Sequence, residues 1–88
     1  MPTVAVVAGI AILLYYDDHD PAHFHARGAG FTAKIAIDGF AVLEVTGKLD
    51  ARSLRKLRNW TAAHREELLA NWLRARQGEP LKKIEGSI

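Results

Sequence analysis

The spacing of apolar residues changes at Asp50, and this change constrains the fold more than any other feature of the sequence. Before Asp50, segments such as residues 31–37 alternate between apolar and polar side chains, which is the period of a half-buried β-strand. After Asp50, apolar residues recur three or four positions apart, which is the period of an amphipathic helix. The sequence therefore predicts an α+β fold, in which a sheet comes first and a helical region packs on one of its faces.

Five predicted strands lie within residues 3–45, and the short connections between them predict an antiparallel meander. Ala8-Gly9 joins the first two strands, since glycine adopts positive φ without strain. Asp38-Gly39 is a strong signal for a two-residue hairpin before the last strand. The predicted strands are residues 3–7, 10–16, 23–27, 31–37 and 40–45.

The helical region is predicted over residues 50–77, as a long helix that is bent or broken. Asp50 is a good N-cap, and Gly78 with Pro80 marks the end of the region. A single straight helix of this length would run ~40 Å, whereas a compact chain of this size is only about 30 Å across. We therefore expect a bend near residues 62–64, or a projecting end that packs on a partner such as a second copy in a homodimer. The face expected to pack on the sheet carries Leu54, Leu57, Thr61, His64, Leu68, Trp72 and Ala75.

Length and composition predict one cytoplasmic domain over residues 1–88. The chain has no cysteine, which excludes disulfides and thiolate metal ligands and is typical of a reducing compartment. No basic residue precedes the first apolar run, as a secretory signal would require, and that run is too short to span a membrane. The C-terminal tail, residues 78–88, is expected to tuck Leu81 and Ile84 against the core.

The stretch YDDHDPAHFHARG, which begins at Tyr16, is the strongest candidate for a functional site. It contains three histidines and three aspartates. His23 and His25 share one face of a strand, His19 can fold back towards them, and Asp18 supplies a nearby carboxylate. This set suits zinc, nickel or iron. Two alternatives remain open: a structural turn whose aspartates cap backbone amides, and metal-free acid–base chemistry by the strand histidines.

A second candidate surface lies on the helical region. Among residues 50–77, basic residues outnumber acidic ones seven to three, which favours a phosphate-bearing or acidic partner. Arg58, Arg65 and Arg76 line up beside the apolar face, and Trp60 lies off it as a candidate exposed contact. The alternative is that these arginines only pack their stems around the edge of the sheet.

Several motifs together resemble a known family. The segments YDDHDPAHFHA, VLE, HREELLANW and GEPLKKIE resemble the small bacterial and archaeal family of domains of unknown function numbered 4160, over residues 1–85. The resemblance implies a component of a two-gene module of toxin–antitoxin type, with a protein partner from the paired gene and nucleic acid as a further partner. It implies no catalytic residues.

Two functional hypotheses follow. The first is a cytoplasmic module component that acts by binding a protein partner or nucleic acid, and that is not an enzyme. The alternative is a small metal-binding protein or metal-dependent enzyme that uses His19, His23 and His25 with Asp18. The first hypothesis depends on the arginines and the second on the histidines.

Overall fold

The computed structural model describes residues 3–16 and 18–87, and it shows an antiparallel sheet followed by two helices. The strands are hydrogen-bonded in chain order, so the sheet is the predicted five-stranded meander. They are β1 (Thr3–Val7), β2 (Ile10–Leu13), β3 (His23–Gly28), β4 (Phe31–Ala36) and β5 (Val42–Gly47). The helices are α1 (Ala51–Ala63) and α2 (Arg65–Arg76). The α+β class predicted from the change of period is confirmed.

The first hairpin is tight, as predicted. Val7 pairs with Ile10 across the two-residue turn Ala8-Gly9. Both turn residues have positive φ, 51° at Ala8 and 81° at Gly9, which is the pattern of a type I′ turn. Strand β2 ends at Leu13 rather than at residue 16, so the loop that carries the aspartates begins earlier than predicted.

The predicted two-residue hairpin at Asp38-Gly39 is wrong. Ala36 donates its N–H to the carbonyl oxygen of Ala41 at 2.8 Å, so four residues lie between the paired positions. Asp38–Phe40 form a short 3₁₀ turn in which Gly39 has φ 74°. Ile37 keeps its side chain in the core, which needs the longer connection. The last strand therefore begins two residues later than predicted.

The helical region is two helices, and the break falls at His64. This residue has φ −120° and ψ 22°, which lie outside the helical range. Helix α1 begins after Asp50, whose side chain accepts a hydrogen bond from the N–H of Ser53 at 2.7 Å. That hydrogen bond holds the pKa of the Asp50 carboxyl below its ordinary value. The single long helix is thus replaced by two shorter ones, each about 20 Å long or less.

The core lies between one face of the sheet and the two helices. The fully buried residues include Phe24 and Ile35 from the sheet and Leu57, Trp60 and Leu68 from the helices. The rings of Phe24 and Trp60 meet edge to face, with centroids 6.4 Å apart.

The predicted helical face is largely confirmed. Leu57, Thr61, Leu68, Trp72 and Ala75 are buried, while Leu54 and His64 are half-buried.

The C-terminal tail crosses the outer edge of β1, and the predicted packing of Ile84 and Leu81 is confirmed. Ile84 is buried and donates its N–H to the carbonyl oxygen of Val4 at 2.8 Å, while Leu81 packs beside the core. Near the end of the tail, the Ser87 hydroxyl and N–H bind the Glu85 carboxylate and hold its pKa below the ordinary value. Within the part of the chain that the structure describes, no helix has the length and apolar character needed to cross a membrane.

Candidate metal centre

The candidate site lies where the loop after β2 returns to the sheet at the start of β3. Asp18 belongs to this loop, and His23 and His25 are the first and third residues of the strand. Because alternate residues of a strand point to one face, both imidazoles lie on the side opposite Phe24, which is in the core. The predicted co-facial arrangement of these two histidines is therefore present.

His23 is held in one orientation by its neighbours. Only 1% of the residue is exposed, and its ring lies 5.1 Å from the ring of Trp72. Nδ1 donates a hydrogen bond to the carbonyl oxygen of Pro21 at 2.7 Å. In a neutral imidazole the proton is then on Nδ1, so Nε2 carries a lone pair. This Nε2 lies 3.0 Å from Oδ2 of Asp18, yet it forms no hydrogen bond of acceptable geometry with any described residue.

His25 completes the cluster from the more open side. Its Nε2 lies 3.1 Å from the same Oδ2 of Asp18, and 29% of its side chain is exposed. The ring of Tyr15 packs edge-on against it, with centroids 4.4 Å apart. One carboxylate oxygen thus faces two imidazole nitrogens.

The three ligand atoms lie close enough together to be candidate ligands of one metal ion. Nε2 of His23, Nε2 of His25 and a carboxylate oxygen of Asp18 all lie within 4.8 Å of one another. Ligands of a tetrahedral zinc ion, with bonds of roughly 2.0–2.2 Å, are about 3.4 Å apart. The donor set is two imidazoles and a carboxylate, which also suits non-haem iron.

His19 does not join this cluster. It was predicted as a fourth member, but it is exposed and lies outside the group of co-located ligand atoms. The chain reaches His23 through Asp20 and Pro21, and Asp20 instead accepts a hydrogen bond from Arg76 at 3.2 Å. The capping role predicted for the aspartates is thus also altered, because Asp18 contacts the histidines and Asp20 contacts a helix. Asp17 lies outside the described residues.

Each of the three arginines contacts a loop or turn that connects strands of the sheet. Arg65 donates to Asp38 at 2.7 Å, and Arg76 pairs with Asp20. Arg58 lies over the ring of Phe40, 5.3 Å from its centroid. All three arginines are exposed. Arg58 and Arg65 both reach the Asp38–Phe40 turn, whereas Arg76 reaches the loop before β3.

Trp60 is not an exposed contact, and this prediction is wrong. It is 1% exposed, and its indole N–H donates to the carbonyl oxygen of Glu85 at 2.8 Å. The apolar face of α1 is wider than the predicted stripe because the tail covers it. His64, at the break between the helices, places its Nδ1 2.6 Å from a carboxylate oxygen of Glu67 in the first turn of α2.

A groove on the outer face of the sheet adjoins the cluster. It has a volume of about 240 Å³, and Tyr15 and His25 form the part of its lining nearest the cluster. Lys34 and Glu44 line its floor from the next two strands, with Nζ and Oε2 separated by 3.8 Å. His25 thus belongs to both the cluster and the groove.

Sequence reasoning missed the groups that position the histidines. Neither the Pro21 carbonyl nor the rings of Tyr15 and Trp72 carries a local signal, since they reach the histidines through the loop and through tertiary packing. The alternation of polar residues on β3 and β4 could have indicated the groove, because it places His25 and Lys34 on the solvent face.

Comparison with known proteins supports the resemblance found in the sequence. A family model described as a domain of unknown function, DUF4160, matches residues 9–73. This span includes the aspartate and histidine loop, strands β2 to β5, all of α1 and most of α2. Searches of curated proteins and of solved structures found no significant match. The family match covers well over half of the chain, so this protein belongs to the DUF4160 family of domains of unknown function.

Proposed function

We propose that this protein binds a divalent transition metal through Asp18, His23 and His25. One observation carries the proposal: the buried Nε2 of His23 lies 3.0 Å from a carboxylate oxygen of Asp18, with no hydrogen bond between them. Two acceptors 3.0 Å apart repel each other unless a cation lies between them. A metal ion bound to both atoms removes that repulsion.

The hydrogen bond from His23 to Pro21 is a further argument for a metal ligand. Histidines that bind metals commonly donate their other ring N–H to a backbone carbonyl or carboxylate, which fixes the tautomer and the ring orientation. His23 has this arrangement before any metal is added. His25 needs only to carry its proton on Nδ1 for its Nε2 to bind the same ion.

The donor set selects among metals. With no cysteine in the chain, the candidates are metals that accept nitrogen and oxygen ligands, namely zinc, iron and nickel. Three protein ligands leave at least one coordination position open, as in catalytic sites rather than closed structural ones. Such an ion would supply Lewis-acid chemistry or an activated water, which makes a small metal-dependent enzyme the fuller form of the proposal.

The competing explanation is a doubly protonated His23 that forms an ion pair with Asp18. This arrangement would also remove the repulsion, and it would make the cluster a structural feature of the loop. The two explanations differ in what added metal does. A metal site gains stability from zinc, by about 2.7 kcal/mol at a hundredfold excess over the dissociation constant, whereas an ion pair gains none.

Calorimetric titration of untagged protein with zinc tests the proposal. We expect one ion per chain, and loss of most of the affinity in His25→Gln and in Asp18→Asn. His19→Gln is the matched control and should bind zinc as the native chain does. Elemental analysis of the purified protein identifies the resident metal. Absence of zinc binding, or equal loss in the His19 and His25 variants, would reject the site.

A second candidate function is the binding of a protein partner, and the exposed edge of β5 favours it. All six residues of β5 are exposed, including Val42, Leu43 and Val45. Among the described strands, β5 pairs only with β4, whereas the tail covers the outer edge of β1. Exposed apolar edge strands are usually avoided in monomeric proteins because they pair with other chains.

We propose that β5 receives an extended strand of a partner protein, such as the product of a paired gene in a toxin–antitoxin-type module. Homodimerisation and nucleic-acid binding are the other forms of this hypothesis. Val45→Lys should weaken a complex with the paired gene's product at least tenfold, while Val6→Lys, an exposed apolar control on β1, should not. If the Val45→Lys and Val6→Lys variants bind the partner with equal affinity, β5 is not the interface. If the chain alone forms a dimer that Val45→Lys dissociates, β5 mediates self-association instead. Nucleic acid would be the partner, in the cytoplasmic location predicted from the sequence, only if the affinity for it falls steeply as the salt concentration rises.

A further inference from the structure

We infer that the groove beside the metal centre binds a small oxyanion, a carboxylate or a phosphate, and this inference rests on the proposed metal site. The ligand would contact the metal at one end and the Lys34 ammonium at the other. This assigns a ligand class to a surface that the family description leaves without a role.

The register of the sheet places the metal ligand and the cation side by side. His25 pairs with Leu13 on one side and Lys34 on the other, and Lys34 pairs with Glu44. These four residues therefore form one row across the outer face. Directly opposed residues in antiparallel strands have Cβ atoms about 4.5–5.5 Å apart, so an oxyanion can reach both the His25-bound ion and the Lys34 side chain.

The charges in the groove favour an anion. Lys34 is half-buried, which strengthens its field, and Glu44 is its only ion-pair partner among the described residues. That pair is long, at 3.8 Å, and the Glu44 side chain is 74% exposed, so it contributes little and is readily replaced. Arg27, in the neighbouring row of the groove, forms no ion pair with any described residue. A bound divalent ion adds two further positive charges.

The dimensions of the groove limit the ligand. A volume of about 240 Å³ and a lining shared by Leu13 and Tyr15 accommodate a small molecule with a short apolar part. Phosphate and carboxylate both form charge-assisted hydrogen bonds with lysine and arginine, and their oxygens are good ligands for zinc and iron. A polymer is not required to fill the space.

Titration of Co²⁺-loaded protein tests the inference, because Co²⁺ substitutes for zinc and its visible spectrum changes when an anion coordinates it. Acetate and inorganic phosphate are added separately, and the tighter of the two identifies the class of oxyanion. We expect Lys34→Met to weaken binding of the preferred anion at least tenfold. Lys48→Met, an exposed lysine beyond the end of β5, is the matched control and should leave it unchanged.

The outcomes distinguish a failure of the anion site from a failure of the metal site. Both the metal site and the anion site are supported if Co²⁺ binds equally to the native chain and to the two lysine variants, and only Lys34→Met weakens anion binding. Co²⁺ binding without an anion response, or with an equal response in both variants, overturns the inference and leaves the metal site standing. Failure of Co²⁺ to bind the native chain overturns the two together.

Discussion

Replacing Asn71 with alanine should release the C-terminal tail and destabilise the whole domain. Asn71 is completely buried on α2, and its amide faces the backbone of Lys82. Nδ2 donates to the Lys82 carbonyl oxygen at 2.8 Å, and Oδ1 accepts from the Lys82 N–H at 2.9 Å. Oδ1 also accepts from Arg74 at 2.8 Å. This one side chain therefore satisfies both backbone groups of a tail residue.

The magnitude follows from these contacts. Two hydrogen bonds to the backbone contribute about 1 kcal/mol each, and the small cavity left by the amide adds to their loss. Because the Lys82 side chain is exposed, water can reach part of its backbone and reduces the penalty for leaving it unpaired. We expect a loss of about 2–3 kcal/mol in the free energy of unfolding. For a domain of this size that corresponds to a fall in Tm of about 10–20 °C.

Urea unfolding followed by tryptophan fluorescence measures this loss, because Trp60 donates to the tail and Trp72 lies on the same helix as Asn71. Asn71→Asp should also destabilise the domain, because its carboxylate still accepts from Lys82 but cannot donate to the Lys82 carbonyl oxygen and is charged at a buried position. Asn59→Ala, at an exposed position on α1, is the control and should change stability by less than about 0.5 kcal/mol. An Asn71→Ala protein as stable as the Asn59→Ala protein would refute the clamping of the tail by α2.

Three further predictions concern the helices and turns. Leu68→Ala should cost about 2–5 kcal/mol, while Leu73→Ala, at an exposed position of the same helix, should cost less than about 0.5 kcal/mol; equal losses would mean that α2 is buried on both sides. Gly39→Val should lower the free energy of unfolding by about 1–2 kcal/mol, because valine resists the positive φ of this position. A steric clash adds nothing, since an added Cβ meets no atom within 4 Å. An unchanged Tm would contradict the turn geometry. The stabilisation that Asp50 gives through its bond to Ser53 requires the carboxylate, whose pKa in the fold lies below 3.8. The native chain should therefore be more stable than Asp50→Ala by the full amount above about pH 4, and this advantage should shrink as the pH falls through the folded pKa. A stability difference between the two proteins that does not change with pH would exclude this cap.

The order of strands and the fold class were predictable because they depend on local periodicity. The alternation in β4 and the turn at Ala8-Gly9 each depend only on residues that are adjacent in the sequence, and both predictions are confirmed. The connection after β4 was not predictable from Asp38-Gly39 alone. The longer connection accompanies the burial of Ile37 in the core, which depends on tertiary packing.

The break between the helices and the burial of Trp60 have the same kind of cause. Nothing in the local pattern at His64 requires non-helical φ and ψ, since the apolar stripe continues across it. The turn of the chain there lets both helices cover one short sheet, and the tail then closes over α1 and accepts the indole N–H of Trp60. These are tertiary effects, which cannot be predicted from the positions of apolar residues around a helix.

For the candidate site, the strand geometry of His23 and His25 was predictable and the choice among aspartates and His19 was not. Residues two apart on a strand must share a face, whereas the path of a loop through Asp20 and Pro21 depends on what it packs against. The structure brings Asp18 to both imidazoles and leaves His19 exposed.

The most direct test of the metal proposal is an anomalous diffraction map, recorded at the zinc edge from crystals grown with zinc. We predict one strong peak within about 2.0–2.2 Å of Nε2 of His23, Nε2 of His25 and a carboxylate oxygen of Asp18. A map with no peak at these three atoms, or with zinc bound only at the exposed His19, would contradict the proposal and leave the cluster as a structural ion pair.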